Sequence, residues 1–302
     1  LHVHWPERVF QNRLGSRSNS VARIYAENLL RTAERTRARG GRVFWTAHNV
    51  SPHDMPDCDR QKVWSVLRDR FFELVTDVAL LSSGGRDGII AEIPELVDAR
   101  FHPVLHQHFK NFFVPGDGAL FREELGIPEH ATVLSTFGYI KRYKGVSGMI
   151  KAFREADLSM AHLVVAGRFE RGYKSEVVTA RGESPRIHLV DKALQHEEVG
   201  NVVRGANACL FNLAGQLNSG SLISALSLGA PVVAPQFPAG SEIAALVGPN
   251  WMYEFKGQLT PAIIGDAASR FKTRQGEPPE LAELSPSEVA KRHIAASTAR
   301  DL

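Results

Sequence analysis

Short apolar runs alternate with stretches of helical period almost from end to end of this chain, and no other feature constrains its fold as tightly. LHVHW reads as a strand. From about Ser18 to Arg39 the apolar positions Val21, Ile24, Tyr25, Leu29 and Ala33 recur at helical spacing until Gly40-Gly41 ends the run. RVFWTAHNV is a strand, KVWSVLRDRFFELV a helix, DVALLSS a buried strand, RDGIIAEIPEL a helix interrupted near Pro94, and FHPVLHQ the next strand. Strands separated by helices rather than by tight turns imply a parallel sheet with helical crossovers.

The alternation breaks at about Phe112 to Glu129, where FFVPGDGALFREELGIPE gathers two prolines and three glycines, and is read as an interdomain linker. It restarts as ATVLSTFGY, VSGMIKAFREA, AHLVVAGR, KSEVVTAR, RIHLV, HEEVGNVVRGA, ACLFNLA, GSLISALSLG and APVVAP, strand and helix in turn. A last helix, PSEVAKRHIAASTA, follows a polar, proline-containing connection. The expected organisation is α/β: one Rossmann-like domain over 1–113, a second over 114–282, and a C-terminal helix over 283–302. At 302 residues two domains are the natural division. Two doubly wound sheets imply a ligand in an interdomain cleft at the carboxyl ends of their strands.

A formal net charge of +3 gives no basis for a nucleic-acid partner. Cys58 and Cys209 lie far apart and match no zinc spacing, so a reducing cytoplasm is expected. No run approaches the ~20 apolar residues of a membrane span. The chain opens on Leu1 in a strand, without the layout of a signal peptide, and part of a natural N-terminus is expected to precede it.

The motifs sit just after strands. FGYIKRYKG, Phe137 to Gly145, brings Lys141, Arg142 and Lys144 to a helix start, where the dipole also favours an anion. After ACLFNLA, the run Asn218-Ser219-Gly220-Ser221 opens the helix LISALSLG. Free N–H groups, a glycine and hydroxyls make a phosphate cradle there, although Ser or Asn at a helix start is also an ordinary cap. Together the two elements supply both halves of a diphosphate site.

FGYIKRYKG, the strand LVVAGR and NSGSLISALSLGAPVVAP resemble the donor-binding domain of GT-B glycosyltransferases, in particular the large family-4-like (group 1) bacterial exopolysaccharide and glycolipid type. HVHWPE, WTAHNVSPHD and VTDVALLSS are similar to its acceptor-side domain, so the resemblance runs from Leu1 to about Trp251. It implies a hexosyltransferase that takes a hexose from a GDP- or UDP-linked nucleotide sugar and passes it to a glycan or lipid-linked acceptor, with no metal cofactor. The donor contacts it implies are Gly138, Lys141, Lys144, Arg168, Asn218, Ser219, Gly220 and Ser221. The family's acidic pair falls at Gln216 and Ser224, neither of them acidic, which marks a subgroup or weakened donor binding. His48 matches the histidine that faces the donor sugar. Glu7 and Asp54 are the carboxylates available as a general base if the reaction inverts the anomeric centre.

Other features have plainer readings. His2 and His4 share a face of their strand. His102, His106 and His108 resemble a metal cluster but lack a fourth ligand. Arg13, Arg17, Arg23, Arg31, Arg35, Arg37, Arg39 and Arg42 crowd the first helix and its flanks, as a solvated face or a peripheral contact with an anionic membrane. A nucleotide-sugar epimerase and a non-catalytic nucleotide-sugar-binding subunit remain as alternatives.

Overall fold

The structure, a computed structural model, describes residues 1–12, 15–16, 18–50, 58–114, 116–212, 217–273 and 278–299. The chain divides into two compact units, one of Leu1–His106 with Ser287–Leu302 and one of Gln107–Pro286.

In the first unit β1 (His2–Val3), a 3-10 turn at Pro6–Phe10 and the short pair β2 (Gln11–Asn12) and β3 (Gly15–Ser16) precede α1 (Asn19–Ala38). β4 (Phe44–Ala47), α2 (Cys58–Leu74), β5 (Asp77–Leu80), α3 (Arg86–Glu92) and β6 (Arg100–Pro103) follow. The sheet runs β1-β4-β5-β6, parallel throughout. β4 and β5 are buried at every position, as expected of strands covered on both faces. α1 starts at Ser18, whose Oγ accepts the Val21 N–H at 3.4 Å. Its buried face is Ala22, Ala26, Leu30 and Ala33. Val21, Ile24 and Tyr25, which the periodicity placed on the helix's apolar stripe, face solvent. Small side chains on the inner face let α1 lie close along α2.

The second unit contains α4 (Gly118–Glu124), β7 (Thr132–Phe137), α5 (Val146–Glu155), β8 (Ala161–Ala166), α6 (Lys174–Arg181), β9 (Ile187–Val190), α7 (His196–Gly205) and β10 (Ala208–Leu210). α8 (Gly220–Ser227), β11 (Val232–Pro235), α9 (Pro238–Val247), β12 (Met252–Phe255) and α10 (Pro261–Arg270) complete it. Its parallel sheet has the order β12-β11-β10-β7-β8-β9. Strand order therefore reverses between β7 and β10, which makes the carboxyl ends of those two strands the topological switch point. Leu134, Leu163, Val165, Ile150, Phe153 and Ile264 lie in the core around them.

The division departs from the sequence expectation at both ends. The Gly/Pro-rich stretch read as a linker is folded into the second unit: Asp117 caps α4 by accepting from Ala119 and Leu120 N–H at 2.9 Å. Arg122 is buried and donates to the carbonyls of Gly205, Glu129 and Ala131 and to Asn207 Oδ1. The last helix, α11 (Pro286–Thr298), belongs to the first unit.

Arg42 is the reason. It donates to the Ala296, Ser297 and Ala299 carbonyls at 3.0, 3.0 and 2.7 Å, filling acceptors that a helix C-terminus leaves open. The same guanidinium grips the fully buried carboxylate of Asp77, which also accepts from Arg100, His102 and Thr76. Burial alone would raise the Asp77 pKa. The hydrogen bonds from Arg42, His102, Thr76 and Arg100 outweigh it and hold the carboxyl far below the ordinary aspartate range.

Candidate functional site

The donor elements converge at the switch point. β7 ends at Phe137, and Gly138 turns away from it at φ 98° with its N–H on the Ala166 carbonyl at 3.0 Å. Gly167 can only be glycine, because a Cβ there would lie 1.7 Å from the Gly138 carbonyl oxygen. A Cβ on Gly138 itself would sit 3.5 Å from Ser221 Oγ and 3.6 Å from Lys144 Nζ. The structure thus brings together Gly138 after β7, Lys144 at the start of α5, and Ser221 in the first turn of α8.

Burial, joined by the neighbouring charge of Lys141, pushes the Lys144 ammonium down to about 8. Among the described residues no hydrogen bond or ion pair compensates that charge. A half-buried cation without a counter-ion, beside a second cation and two helix N-termini, is an anion site in electrostatic terms. Gly145, left-handed at φ 59°, is the N-cap of α5, and a Cβ on it would lie 2.5 Å from Asn212 Nδ2. Asn212, just beyond β10, therefore joins the same corner. Sequence reading placed it inside a strand and passed over it.

The remaining donor candidates have distinct environments. Arg142, counted in the sequence among three cations, is taken up by the protein: its guanidinium pairs with Glu176 and lies 4.9 Å from the Tyr173 ring, and its N–H donates to Glu170 at 2.8 Å. Ser147 Oγ donates to the same Glu176 at 2.6 Å. This network fixes the turn that carries the lysines. Lys141 Nζ stands 5.0 Å over the Tyr139 ring. Arg168 accepts the Ile140 N–H at its backbone at 2.9 Å, while its exposed side chain helps lower the pKa of Asp191.

Ser219 Oγ caps α8 by accepting from Leu222 N–H at 3.3 Å, Gly220 opens the helix, and Asn218 is half-buried just before it. The hydroxyl of Ser221 is thus the one turned toward the Lys144 corner. Ser224 Oγ donates to the Gly220 carbonyl at 2.8 Å and is buried, so it offers nothing to a ribose. Gln216 lies outside the described residues.

In the first unit His48 follows β4 and forms the centre of an aromatic stack. Its ring lies on Trp5 at 4.1 Å and 17°, and the Arg8 guanidinium stands 4.8 Å from the same Trp5 ring. His48 Nε2 and His4 Nδ1 are 3.1 Å apart, His4 stacks on His2 at 4.5 Å, and His2 Nε2 is 2.8 Å from Thr46 Oγ1. His293, from α11, has its ring centroid 5.9 Å from that of His2. Burial, together with the charges of His4, His106, His293 and His2, lowers His48 to about 4; burial, together with the charges of His4, His293 and the N-terminus, lowers His2 to about 4. At neutral pH both are uncharged imidazoles, His48 hydrogen-bonded to His4 and His2 to Thr46. Glu7, half-buried in the 3-10 turn after Trp5, has its pKa raised by burial, against the opposing pull of its own backbone N–H. Asp54 lies outside the described residues.

His102, His106 and His108 do not lie on one continuous strand: β6 ends at Pro103 and Leu105 turns left-handed at φ 63°. His102 binds Asp77 and His108 accepts the Lys110 N–H at 3.3 Å. Among the described residues no three His, Cys, Asp or Glu side chains gather as metal ligands. Cys209 is a buried free thiol, its pKa pushed up to about 12 by burial.

No protein-family model matches the chain. It is 24% identical over 295 residues to a GDP-mannose:glycolipid 4-beta-D-mannosyltransferase of Xanthomonas campestris pv. campestris, covering 97% of this chain and 77% of that protein. Among solved structures, Anabaena HepE in complex with UDP and glucose superposes with a TM-score of 0.61 at 14% identity, over 91% of this chain and 72% of that one. WaaG, a glycosyltransferase of lipopolysaccharide biosynthesis, gives 0.58 at 15% identity, over 95% and 80%. The fold these likenesses show is GT-B, with two doubly wound units.

Proposed function

We propose that this GT-B glycosyltransferase moves mannose from GDP-mannose to a glycolipid acceptor and forms a β-linkage. The observation that carries the donor half is the meeting of Lys144 Nζ and Ser221 Oγ around Gly138 at the switch point. The diphosphate lies on Lys144 and Lys141, against the N-termini of α5 and α8, with Ser221 and Asn212 as hydrogen-bonding groups. Its charge is met by cations and helix dipoles, so this reading calls for no metal. As the glycosidic bond breaks, negative charge grows on the departing GDP, and a preorganised, half-buried cation stabilises that charge more than the ground state. The choice of mannose and of the acceptor follows the mannosyltransferase relative.

Because GDP-mannose carries its sugar in the α configuration, a β product requires inversion and therefore a general base. Glu7, whose pKa burial raises, is our candidate, and Asp54 is the second. His48, neutral and held by Trp5 and His4, hydrogen-bonds the sugar or acceptor. No helix among the described residues is long and apolar enough to cross a membrane. The protein would work from the cytoplasm as a peripheral enzyme on the inner face of the plasma membrane.

Thermal unfolding with GDP, UDP and ADP tests the donor site. A nucleotide at a hundredfold excess over its Kd stabilises by about 2.7 kcal/mol. The expected result is a shift with GDP that Lys144→Ala removes. GDP release that depends on added glycolipid supports transfer, interconversion without acceptor supports the epimerase reading, and binding without turnover supports a non-catalytic subunit. The buried, self-satisfied Ser224 is the observation that keeps the last reading in the test.

A further inference from the structure

Four polar side chains at the ends of two neighbouring strands form a chain of contacts in the first unit. β1 and β4 run parallel, with His2 opposite Phe44 and Val3 opposite Trp45. His2 and His4 are two residues apart, as are Thr46 and His48, and the contacts pass from one pair to the other. His2 Nε2 is 2.8 Å from Thr46 Oγ1, the His2 ring stacks on His4 at 4.5 Å, and His4 Nδ1 is 3.1 Å from His48 Nε2. Thr46, at one end, is buried in β4. At the other end the Trp5 stack at 4.1 Å sets the plane of the His48 ring. A stack leaves the ring able to turn within that plane, and the hydrogen bond to His4 opposes this.

The same bond decides what His48 offers. A neutral imidazole has one N–H and one lone pair, so the partner of one nitrogen fixes the role of the other. Burial lowers the pKa of His4 as well, and its ring is neutral at pH 7. The nitrogens in contact are Nε2 of His2, Nδ1 of His4 and Nε2 of His48. Both hydrogen bonds form with all three rings protonated on Nε2, the tautomer that a free histidine ring favours. His2 then donates to Thr46 Oγ1, and His48 Nε2–H donates to His4 Nδ1. Reversing the second bond would put both His4 and His48 in the less favoured tautomer.

We propose that His4 is a positioning residue for His48: by accepting the His48 Nε2–H it keeps the lone pair on Nδ1, so that His48 accepts a hydrogen bond from a hydroxyl of the mannose or the acceptor and does not donate one. This rests on the reading of His48 as the histidine that contacts the sugar.

The experiment is two-bond proton–nitrogen spectroscopy of the full chain labelled at histidine, at pH 7, with the His48 signals identified by their loss in His48→Gln. Wild type is expected to show His48 protonated on Nε2 and bare on Nδ1; a ring protonated on Nδ1 overturns the proposal without recourse to any His4 variant. His4→Phe keeps an aromatic ring against His2 but offers no acceptor, and should give a mixture of His48 tautomers and lower kcat about tenfold, the worth of one hydrogen bond. His4→Asn carries Oδ1 on its Cγ where histidine carries Nδ1, and should return both the tautomer and the rate. A His4→Phe protein with the wild-type tautomer and rate, or a His4→Asn protein no better than His4→Phe, also overturns it. Failure of the underlying reading shows separately, as a His48→Ala protein that transfers mannose like wild type, and removes any use for the contact.

Discussion

Replacing Lys144 with methionine should make the protein more stable and unable to bind nucleotide. The ammonium is held at about 8 in the folded chain against 10.5 for an ordinary lysine. At ~1.36 kcal/mol for each pH unit, that gap is about 3 kcal/mol. The sign follows from proton counts. Between pH 8 and 10.5 the unfolded chain keeps a proton that the folded chain has released, so wild-type stability rises with pH across that window. Below pH 8 the full cost of the buried charge is present. Lys144→Met removes that cost while keeping an unbranched side chain one atom shorter, and gains up to about 3 kcal/mol at pH 7. For a unit of this size each kcal/mol moves the midpoint by roughly 2–4 °C. Thermal unfolding followed by circular dichroism at pH 7 and near pH 10.5 would show an advantage that is large at the first and small at the second. Titration calorimetry with GDP would show binding lost. A variant no more stable than wild type at pH 7, or one that still binds GDP, would refute the argument that this charge is stored for an anion.

Four further outcomes follow from the geometry. Gly145→Ala forces a Cβ to within 2.5 Å of Asn212 Nδ2 at a left-handed φ, and should cost about 1–3 kcal/mol in chemical denaturation and weaken GDP binding. Arg42→Ala leaves the buried Asp77 with fewer partners and frees the α11 carbonyls; a loss of about 3 kcal/mol and faster proteolysis within 287–299 are expected. Because the Asp77 carboxyl is depressed, its stabilising effect is present above the ordinary aspartate value near pH 4 and is lost as pH falls further, so Asp77→Asn should be less stable than wild type at neutral pH, by a gap that narrows as pH falls below about 4. Nitrogen chemical shifts of His48 should report a neutral ring down to about pH 5, with its titration near 4; a midpoint near 6.5 would contradict its stacked, half-buried setting.

Most strands and crossover helices in both units were legible because covered parallel strands read as apolar runs and their crossovers as amphipathic helices; the order of the strands in each sheet was not. The residues α9, β12 and α10 escaped. PAGSEIAALV and MYEF are short, and nothing local separates them from the polar connection beyond. On α1 the two stripes share one period, so periodicity finds the helix but cannot say which stripe its neighbour covers; the close fit of alanines against α2 decides it. The meeting of Gly138, Lys144 and Ser221 was approachable from sequence because their segments follow strands. The separation of roles among KRYK was not, since Arg142 answers to Glu176 and Tyr173, more than thirty residues away in the chain. Asn212 was hidden for the same reason, its value depending on a glycine that belongs to the neighbouring crossover.

The Arg42 clasp on α11 also orders events during synthesis. α11 follows the second unit in the chain, so the ribosome delivers the whole of Gln107–Pro286 before it releases the helix whose carbonyls Arg42 binds. The second unit can finish folding while the first still waits for its last piece, and His293 reaches His2 only then. The nascent chain would therefore acquire its anion corner before its histidine cluster is complete.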